Sequence, residues 1–323
     1  MKNRPRWKLH VEGLGKIREA DVEIHPLMLF VGDNNSGKSY LASLLWGLLA
    51  LQGELEPPTG PVMEACEAWL REKLKSHPSE EFALTEDDRA LFMKLFSESV
   101  TKSQSRLVKK IFNSGLPGVS RIGLYADSAA ETHPRLTILK GGRADHAQVI
   151  VKGNGSFGLA SSDWGSLSMH VATHVVLTTL ADSRTHSDTP SPRAPIFLPA
   201  SRTGFMLLYK AAVRRRFRQL EMLDEQELGM SLTLPTSRFI EMLAVGLTDQ
   251  IGPYAEEADL LEKALNGRVE RSSVATVGVN DYHYRPDGSE ARLDMSLASS
   301  LVTELAPLIL VLRHMQDFPV LIL

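Results

Sequence analysis

A glycine-rich segment lies between an apolar run and a leucine-rich run near the start of this 323-residue chain. The apolar run, residues 27–31, predicts a buried strand that stops at Gly32. After the segment, leucines recur at the three- and four-residue spacing of a helix, at positions Leu41, Leu44, Leu45, Leu48 and Leu49. The eight residues in between, from Gly32 to Ser39, fit the pattern G-x-x-x-x-G-K-[ST]. A strand, a loop of this composition and a helix in succession predict an α/β fold.

The loop pattern predicts a site for nucleotide phosphates. Glycine and small polar residues let the backbone curl so that its N–H groups point at phosphate oxygens, and the helix beginning near Lys38 adds its positive dipole end. Lys38 is expected to reach the β- and γ-phosphates, and the Ser39 hydroxyl to bind Mg²⁺. The residues predicted to contact the nucleotide are Gly32, Asn34, Asn35, Ser36, Gly37, Lys38, Ser39 and Tyr40. The alternative is a glycine turn with one solvated lysine.

The composition is that of an ordinary soluble globular protein, with 43% hydrophobic and 23% charged residues. A net charge of −3 gives no general attraction to nucleic acid or to anionic membranes, so any such contact must come from a local patch. The single cysteine, Cys66, excludes an internal disulfide and a cysteine-cluster metal site, which fits a reducing cytoplasm. No secretory signal or membrane span is evident, so we expect no membrane partner.

Residues 7–31 predict two alternating strands, broken by Gly13 and Gly15, ahead of the strand that enters the loop. The residues LHVEGLGKIREADVEI followed by GDNNSGKS resemble the opening of ATP-binding-cassette-type (ABC-type) ATPases of the SMC, RecF and OLD group. The resemblance implies a P-loop ATPase head with a mixed sheet, in which the two N-terminal antiparallel strands lie over the base and ribose of ATP. Tyr40 departs from the family, which more often has Thr there, and we expect it to face the helix rather than the phosphates.

The resemblance and the shifts in composition divide the chain into three parts. Residues 1–52 form an N-terminal ATPase lobe with the phosphate loop, residues 53–190 an inserted helical and β-meander region, and residues 191–323 the second part of the ATPase core. Within the insertion, residues 62–112 predict helices, with Thr85 as an N-cap and Asp88 placed as in a capping box. Arg106, Lys109 and Lys110 form either a nucleic-acid patch or the solvated face of a helix.

Residues 120–158 alternate between apolar and polar, which predicts an antiparallel meander of the strands RIGLYAD, RLTILK and AQVIVKG. A helix is predicted over residues 166–182 and a loop over 183–195. His170 and His174 share one face of that helix and are candidate metal ligands together with His186. No Glu follows His170 as H-E-x-x-H would require, and half-buried histidines without a metal are the alternative.

The segment IFLPASRTGF, residues 196–205, predicts a short apolar strand that ends in PASR and runs into a helix. The same arrangement is similar to OLD-like and related AAA-labelled ATPases of bacterial defence systems. An arginine at the carboxyl end of a sheet strand lies where open α/β sheets bind ligands, so Arg202 is a candidate contact for a phosphate or a partner subunit. The alternative is an arginine that caps neighbouring carbonyls. The helix that follows carries the most basic stretch of the chain, which is the candidate contact for nucleic acid or an acidic partner: Arg214, Arg215, Arg216 and Arg218.

Residues 236–268 predict helices that end with Gly267 as a C-cap, and strands joined by a turn at 286–288 follow. The chain then has a serine-rich turn before an apolar helix. Serines at a helix N-terminus can bind an anion or simply cap the helix. The turn is similar to a serine-rich turn of the ABC-type ATPases named above. In that family it replaces the Leu-Ser-Gly-Gly signature of transporter ATPases and engages the γ-phosphate held by a second subunit. The candidate residues for this contact with the nucleotide of the other subunit are Ser296, Ser299 and Ser300. The apolar side of the helix is predicted at Leu301, Leu305, Leu308, Ile309 and Leu312.

The last residues, FPVLIL, match the strand that in the family continues into the acidic Walker B pair, and neither carboxylate follows Leu323. We therefore expect a truncated record, in which the catalytic residues are unknown and ATP hydrolysis depends on residues beyond the chain. The resemblance implies a cytoplasmic ABC-type ATPase that forms a homodimer or higher oligomer through ATP and Mg²⁺, and acts as sensor or scaffold for an effector protein in anti-phage defence. One alternative is an OLD- or RecF-like nuclease or repair protein whose nuclease part lies beyond Leu323. Another is a nucleotide-binding module that does not hydrolyse ATP.

Overall fold

The computed structural model describes residues 7–25, 27–77, 79–114, 119–126, 135–140, 146–152, 156–180, 195–209, 232–247, 249–274, 279–315 and 321–323. The chain is a mixed α/β protein with several sheets. It divides into two compact units. The first holds the described residues up to Pro195 together with Leu321, and the second holds those from Ile196 onwards with residues 322 and 323.

The first sheet of the first unit is an N-terminal hairpin with a third strand added. Strands β1 (Trp7–Leu14) and β2 (Ile17–Ile24) pair antiparallel as predicted, and β5 (Arg121–Ala126) pairs antiparallel with the other edge of β1. The prediction that RIGLYAD belongs to the meander is therefore wrong. Leu124 lies opposite Leu9 and Ile122 opposite Val11, so this strand places its apolar residues on the core face of the hairpin.

The strand leading to the glycine-rich loop is short and only partly covered. Strand β3 comprises Leu27–Met28, and only Met28 of the predicted run is buried. Leu27, Leu29 and Val31 are 60%, 65% and 78% exposed, so the prediction of a buried strand over residues 27–31 is wrong. The alternation of buried and exposed residues means that protein covers one side of this segment and not the other.

Helix α1 (Lys38–Ala50) follows the loop, and its residues 41–49 are all buried. The five predicted leucines are all buried, and the Trp46 Nε1–H donates a hydrogen bond to the Pro195 carbonyl at 2.9 Å. Helices α2 (Pro61–Ser76) and α3 (Glu86–Phe112) come next, with the short strand β4 (Glu81–Ala83) between them. The basic residues Arg106, Lys109 and Lys110 lie near the end of α3.

The predicted start of α3 is confirmed by a complete capping box. The Asp88 N–H donates to the Thr85 hydroxyl at 3.2 Å, and the Thr85 N–H donates to the Asp88 carboxylate at 3.0 Å. Each side chain thus satisfies one backbone N–H group that has no partner within the helix.

A second sheet and helix α4 complete the first unit. Strands β6 (Arg135–Lys140), β7 (Ala147–Lys152) and β8 (Ser156–Ser161) form the predicted kind of meander, and β4 pairs with the free edge of β6. Strands β4 and β8 were not among the predicted strands. Helix α4 (Trp164–Leu180) confirms the helix expected over residues 166–182. It begins two residues before the predicted start. The loop expected at 183–195 lies outside the described residues except for Pro195.

The second unit begins with the predicted strand, turn and helix. Strand β9 (Ile196–Phe197) precedes helix α5, which is described over residues 202–209. Helix α6 (Leu234–Glu241) continues into a π-helical turn at Met242–Gly246, and helix α7 (Ala255–Leu265) follows. The C-cap of α7 is Asn266, with φ +53°, and not the predicted Gly267, which begins the next strand. Asparagine tolerates this left-handed conformation better than most residues, so no glycine is required.

Three strands and a long helix make up the rest of the second unit. Strands β10 (Gly267–Val274) and β11 (Val279–Pro286) form a hairpin, and β12 (Leu293–Asp294) pairs with β11. Helix α8 (Ser300–His314) follows, and the chain ends at strand β13 (Leu321–Ile322). The Leu198 N–H donates to the Ile322 carbonyl at 2.9 Å, which ties the two ends of this unit together.

The buried face of α8 differs from the one predicted. Leu301 is 57% exposed, and Leu305, Leu308 and Leu312 are only partly buried, whereas Ile309 is buried as predicted. The buried residues of this helix are Val302, Thr303, Ala306, Pro307, Ile309, Leu310 and Val311. The helix is apolar around most of its surface, so the sequence did not single out one side. In the part of the chain that the structure describes, no helix has both the length and the apolar character needed to cross a membrane.

Candidate functional site

The loop from Gly32 to Gly37 is built on residues with positive φ angles. Gly32, Asn35 and Gly37 have φ values of +146°, +63° and +97°, and Gly37 is the left-handed N-cap of α1. The Ser36 N–H donates to the Asp33 carbonyl at 3.3 Å, and the first helical bond runs from the Leu41 N–H to the Gly37 carbonyl at 3.0 Å. Backbone that changes hand in this way makes a concave run of N–H groups, and such concavities bind anions.

Lys38 places its charged group inside the curve of this loop. Its Nζ donates to the Gly32 carbonyl at 2.6 Å and to the Asp33 carbonyl at 2.5 Å, and lies 3.4 Å from the Ser36 hydroxyl. The lysine thus spans the loop from its last residue to its first. Asp33, Asn34, Asn35 and Ser36 are exposed, so the outer surface of the loop is open to a ligand.

The next residues occupy the first turn of α1. Ser39 is exposed at this helix N-terminus, where the dipole favours negative charge. Its hydroxyl could supply one oxygen ligand to Mg²⁺, which takes its remaining ligands readily from phosphates and water. Tyr40 packs its ring edge-on against Phe112 with 5.5 Å between the ring centroids. The predicted direction of Tyr40 therefore agrees with its packing.

The serine-rich turn lies in the second unit, and its hydroxyls have different local roles. The Ser299 hydroxyl accepts a hydrogen bond from the Val302 N–H at 3.4 Å and is the N-cap of α8. The Ser296 hydroxyl donates to the Asp294 carboxylate at 2.8 Å. Ser300, the first residue of the helix, is exposed. Within the part of the chain that the structure describes, the hydroxyls of Ser296 and Ser299 form hydrogen bonds, whereas that of Ser300 forms none.

Arg202 is held by a carboxylate of the same unit. One guanidinium nitrogen lies 2.6 Å from the Glu304 carboxylate of α8, and the hydroxyl of Thr203 donates to the other carboxylate oxygen at 3.0 Å. The Thr203 N–H also donates to that oxygen at 3.3 Å. Arg202, the first described residue of α5, thus connects that helix to the first turns of α8. The ion pair is not the alternative role, capping of carbonyls, and the predicted contact of Arg202 with a phosphate or a partner subunit stays a prediction.

The basic residues near the end of α3 form ion pairs within the chain. Arg106 pairs with Glu54 at 2.7 Å and with Glu56 at 3.2 Å, and Lys110 also pairs with Glu54. The Lys110 and Arg106 side chains hold the pKa of the Glu54 carboxyl below its usual range. Because these acids neutralise the basic face, the structure favours the solvated helix face over a nucleic-acid patch. The predicted patch at Arg214, Arg215, Arg216 and Arg218 lies outside the described residues.

The histidines of α4 behave as core residues. His174 is buried, and burial, aided by the nearby His170, lowers its pKa to about 3. The two rings are 4.4 Å apart between centroids. His186 lies outside the described residues. A neutral, buried imidazole is the ordinary alternative to a metal ligand, and the structure favours it here.

A different cluster of titratable side chains lies on the outer face of the N-terminal hairpin. His10 Nδ1 is 2.9 Å from the Asp21 carboxylate and its Nε2 is 2.8 Å from that of Glu12. These carboxylates, Glu12 first, raise the pKa of His10. Among the described residues, His10, Glu19 and Asp21 are the group whose ligand atoms lie close enough to share a metal ion. The alternation H-V-E and E-A-D in two paired strands was the signal that could have predicted this cluster.

A comparison of the chain with models of protein families found no match, and a comparison with curated protein sequences found none either. Any assignment of function therefore depends on the residues of the candidate site and on the sequence resemblance. Of the predicted sites, the structure gives a defined backbone and side-chain geometry to residues 32–40, to Arg202 and to the serine-rich turn.

Proposed function

We propose that residues 32–39 bind the phosphates of ATP together with Mg²⁺. The observation that carries the proposal is the curled loop, with Asn35 and Gly37 in the left-handed region and the Lys38 ammonium inside it. Backbone with positive φ angles, a helix N-terminus and a lysine lie within this one short segment, and such a set of donors suits a chain of phosphates. A plain glycine turn would not need the lysine to fold back onto the loop.

The residues of the loop would each make a different contact with the nucleotide. Lys38 would exchange its bonds to the Gly32 and Asp33 carbonyls for charge-assisted bonds to the β- and γ-phosphates. The dipole of α1 would favour the negative charge, and Ser39 would hold the Mg²⁺ that neutralises the phosphates. The chemistry of Mg²⁺ here is charge neutralisation and orientation of the triphosphate. The proposal is one of binding, since no residue of the described chain is assigned to water activation.

The wider proposal is an ABC-type ATPase of the cytoplasm that dimerises through ATP and controls an effector in anti-phage defence. The order of phosphate loop, PASR segment and serine-rich turn supports it, because the family has the same order. The exposed Ser300 at the N-terminus of α8 also supports it. In such a dimer the serine-rich turn of a second copy would close over the γ-phosphate.

The variant Lys38→Ala tests nucleotide binding. We expect the affinity for a fluorescent ATP analogue with Mg²⁺ to fall about 10- to 100-fold, since a charge-assisted bond contributes about 1.5–3 kcal/mol. Lys152→Ala is the matched control, because it removes the same charge from strand β7, where the lysine pairs with Glu81. Binding by Lys38→Ala within about twofold of the unmodified chain, or equal losses in the two variants, would end the proposal.

A further inference from the structure

Two elements, the hairpin β1–β2 and helix α3, contact α1 next to the phosphate loop. On the N-terminal side of α1, a Cβ atom placed on Gly37 would lie 2.7 Å from Ile17 of strand β2. About one helical turn further along α1, the Tyr40 ring lies against the hairpin. A Cβ placed on Gly15, between β1 and β2, would lie 3.2 Å from that ring. The hairpin β1–β2 therefore touches the loop helix at both residues that flank Lys38 and Ser39.

Helix α3 touches the same side of α1. The ring of Phe112, the last residue of α3, meets the ring of Tyr40 edge-on. Two turns along α1, a Cβ on Gly47 would lie 2.1 Å from Ile111, so the two helices approach as closely as glycine permits. Tyr40 and Gly47 are seven residues apart and share one face of α1, so adjacent residues of α3 fix both the position and the rotation of α1.

We propose that Tyr40 and Phe112, here called the Tyr40–Phe112 pair, are positioning residues of the phosphate loop and not nucleotide contacts. The pair anchors the first turn of α1, and this turn carries Lys38 and Ser39. Residues 33–36 are exposed, and the packing contacts of this region lie where the loop enters α1. This inference rests on the proposed nucleotide binding, and it makes ATP affinity depend on the end of α3.

The physical demand is one of precision. Several N–H groups, one ammonium and one hydroxyl must meet the oxygens of the same ligand, and a displacement of about 1 Å weakens each of these bonds. An edge-to-face pair of aromatic rings is directional as well as apolar, so it limits rotation of α1 more than an aliphatic contact would. Phe112 contacts α1 through Tyr40 and is not one of the residues proposed to bind the phosphates, so it can be changed without removing a ligand group.

The variant Phe112→Ala is the test, and Phe92→Ala is its matched control. Phe92 is a fully buried residue of the same helix, and its ring meets Trp69 edge-on at 5.2 Å between centroids. It lies twenty residues from Phe112, about 30 Å along α3. Both variants create a cavity beside an aromatic ring, and both are expected to lower the melting temperature. Only Phe112→Ala is expected to weaken ATP binding, by about three- to tenfold.

Rescue by a conservative variant adds a second measurement. Tyr40→Phe keeps the ring and should bind ATP as the unmodified chain does, whereas Tyr40→Ala should match Phe112→Ala. Equal affinity of Phe112→Ala and the unmodified chain overturns the inference, and so does an equal loss of affinity in Phe92→Ala. Failure of the proposed function has a different result, because the unmodified chain itself would then not bind ATP.

Discussion

The contact between Gly37 and Ile17 gives a prediction whose size follows from the geometry. In Gly37→Ala the new residue must adopt φ +97°, which costs about 1–2 kcal/mol for a residue with a Cβ. Its Cβ would also lie 2.7 and 2.9 Å from the Cγ1 and Cδ1 atoms of Ile17, and overpacking of this kind costs about 1–3 kcal/mol. The free energy of unfolding should therefore fall by about 2–5 kcal/mol in all, a large part of the ~5–15 kcal/mol of a typical domain.

Urea unfolding followed by circular dichroism measures this change, and a double-mutant cycle separates its two parts. Ile17→Ala removes the atoms that the new methyl group meets, so the double variant should be more stable than the sum of the single effects by about 1–3 kcal/mol. Gly288→Ala is a control for the backbone part, because Gly288 has φ +72° and an added Cβ would meet no atom within 4 Å. That variant should lose only about 1–2 kcal/mol. Strictly additive effects of the Gly37 and Ile17 changes would refute the predicted contact.

Two further predictions concern the serine-rich turn and the N-terminal hairpin. Ser300→Glu should abolish the proposed ATP-dependent dimerisation, measured by light scattering, because a carboxylate there repels a triphosphate. It should not lower the melting temperature, because a carboxylate in the first turn stabilises α8. A dimer that persists would contradict the proposed contact between Ser300 of one copy and the nucleotide of the other. Hydrogen bonds to Glu12 and Asp21 raise the pKa of His10 in the folded state. These bonds therefore stabilise the folded protein fully below the pKa of about 6.5 that His10 has when unfolded, and this stabilisation is lost as the pH rises through the pKa of the folded state. The free energy of unfolding measured in urea should therefore fall as the pH rises above about 6.5, relative to that of His10→Gln, and parallel pH profiles would contradict it.

Local chemistry explains what could be predicted from the sequence. The capping box of Thr85 and Asp88 involves residues three positions apart, and the left-handed Gly37 belongs to a pattern of eight consecutive residues. The leucines of α1 are buried as their helical spacing predicts. In each of these cases, the residues that determine the structure are neighbours in the chain, so their pattern contains the information.

The other features of the fold depend on contacts with residues distant in sequence, and the local sequence pattern does not identify these residues. Alternation in residues 121–126 predicted a strand, but only the tertiary structure pairs it with β1 instead of β6. The run at residues 27–31 is apolar throughout, and its exposure depends on which of its sides other elements cover. At the candidate site, the loop itself was predicted, whereas Ile17 and Phe112 were not, because they approach it from distant positions.

The bonds that Lys38 makes to Gly32 and Asp33 have a consequence for selectivity. The ammonium already has acceptors, so an incoming anion gains only the difference between its own bonds and those it displaces. A single orthophosphate or sulfate ion offers few oxygens for this exchange and should compete poorly. On the proposed function, a ligand with several linked phosphates would contact the lysine, the amides and a metal ion at once, so the loop would favour it over small anions.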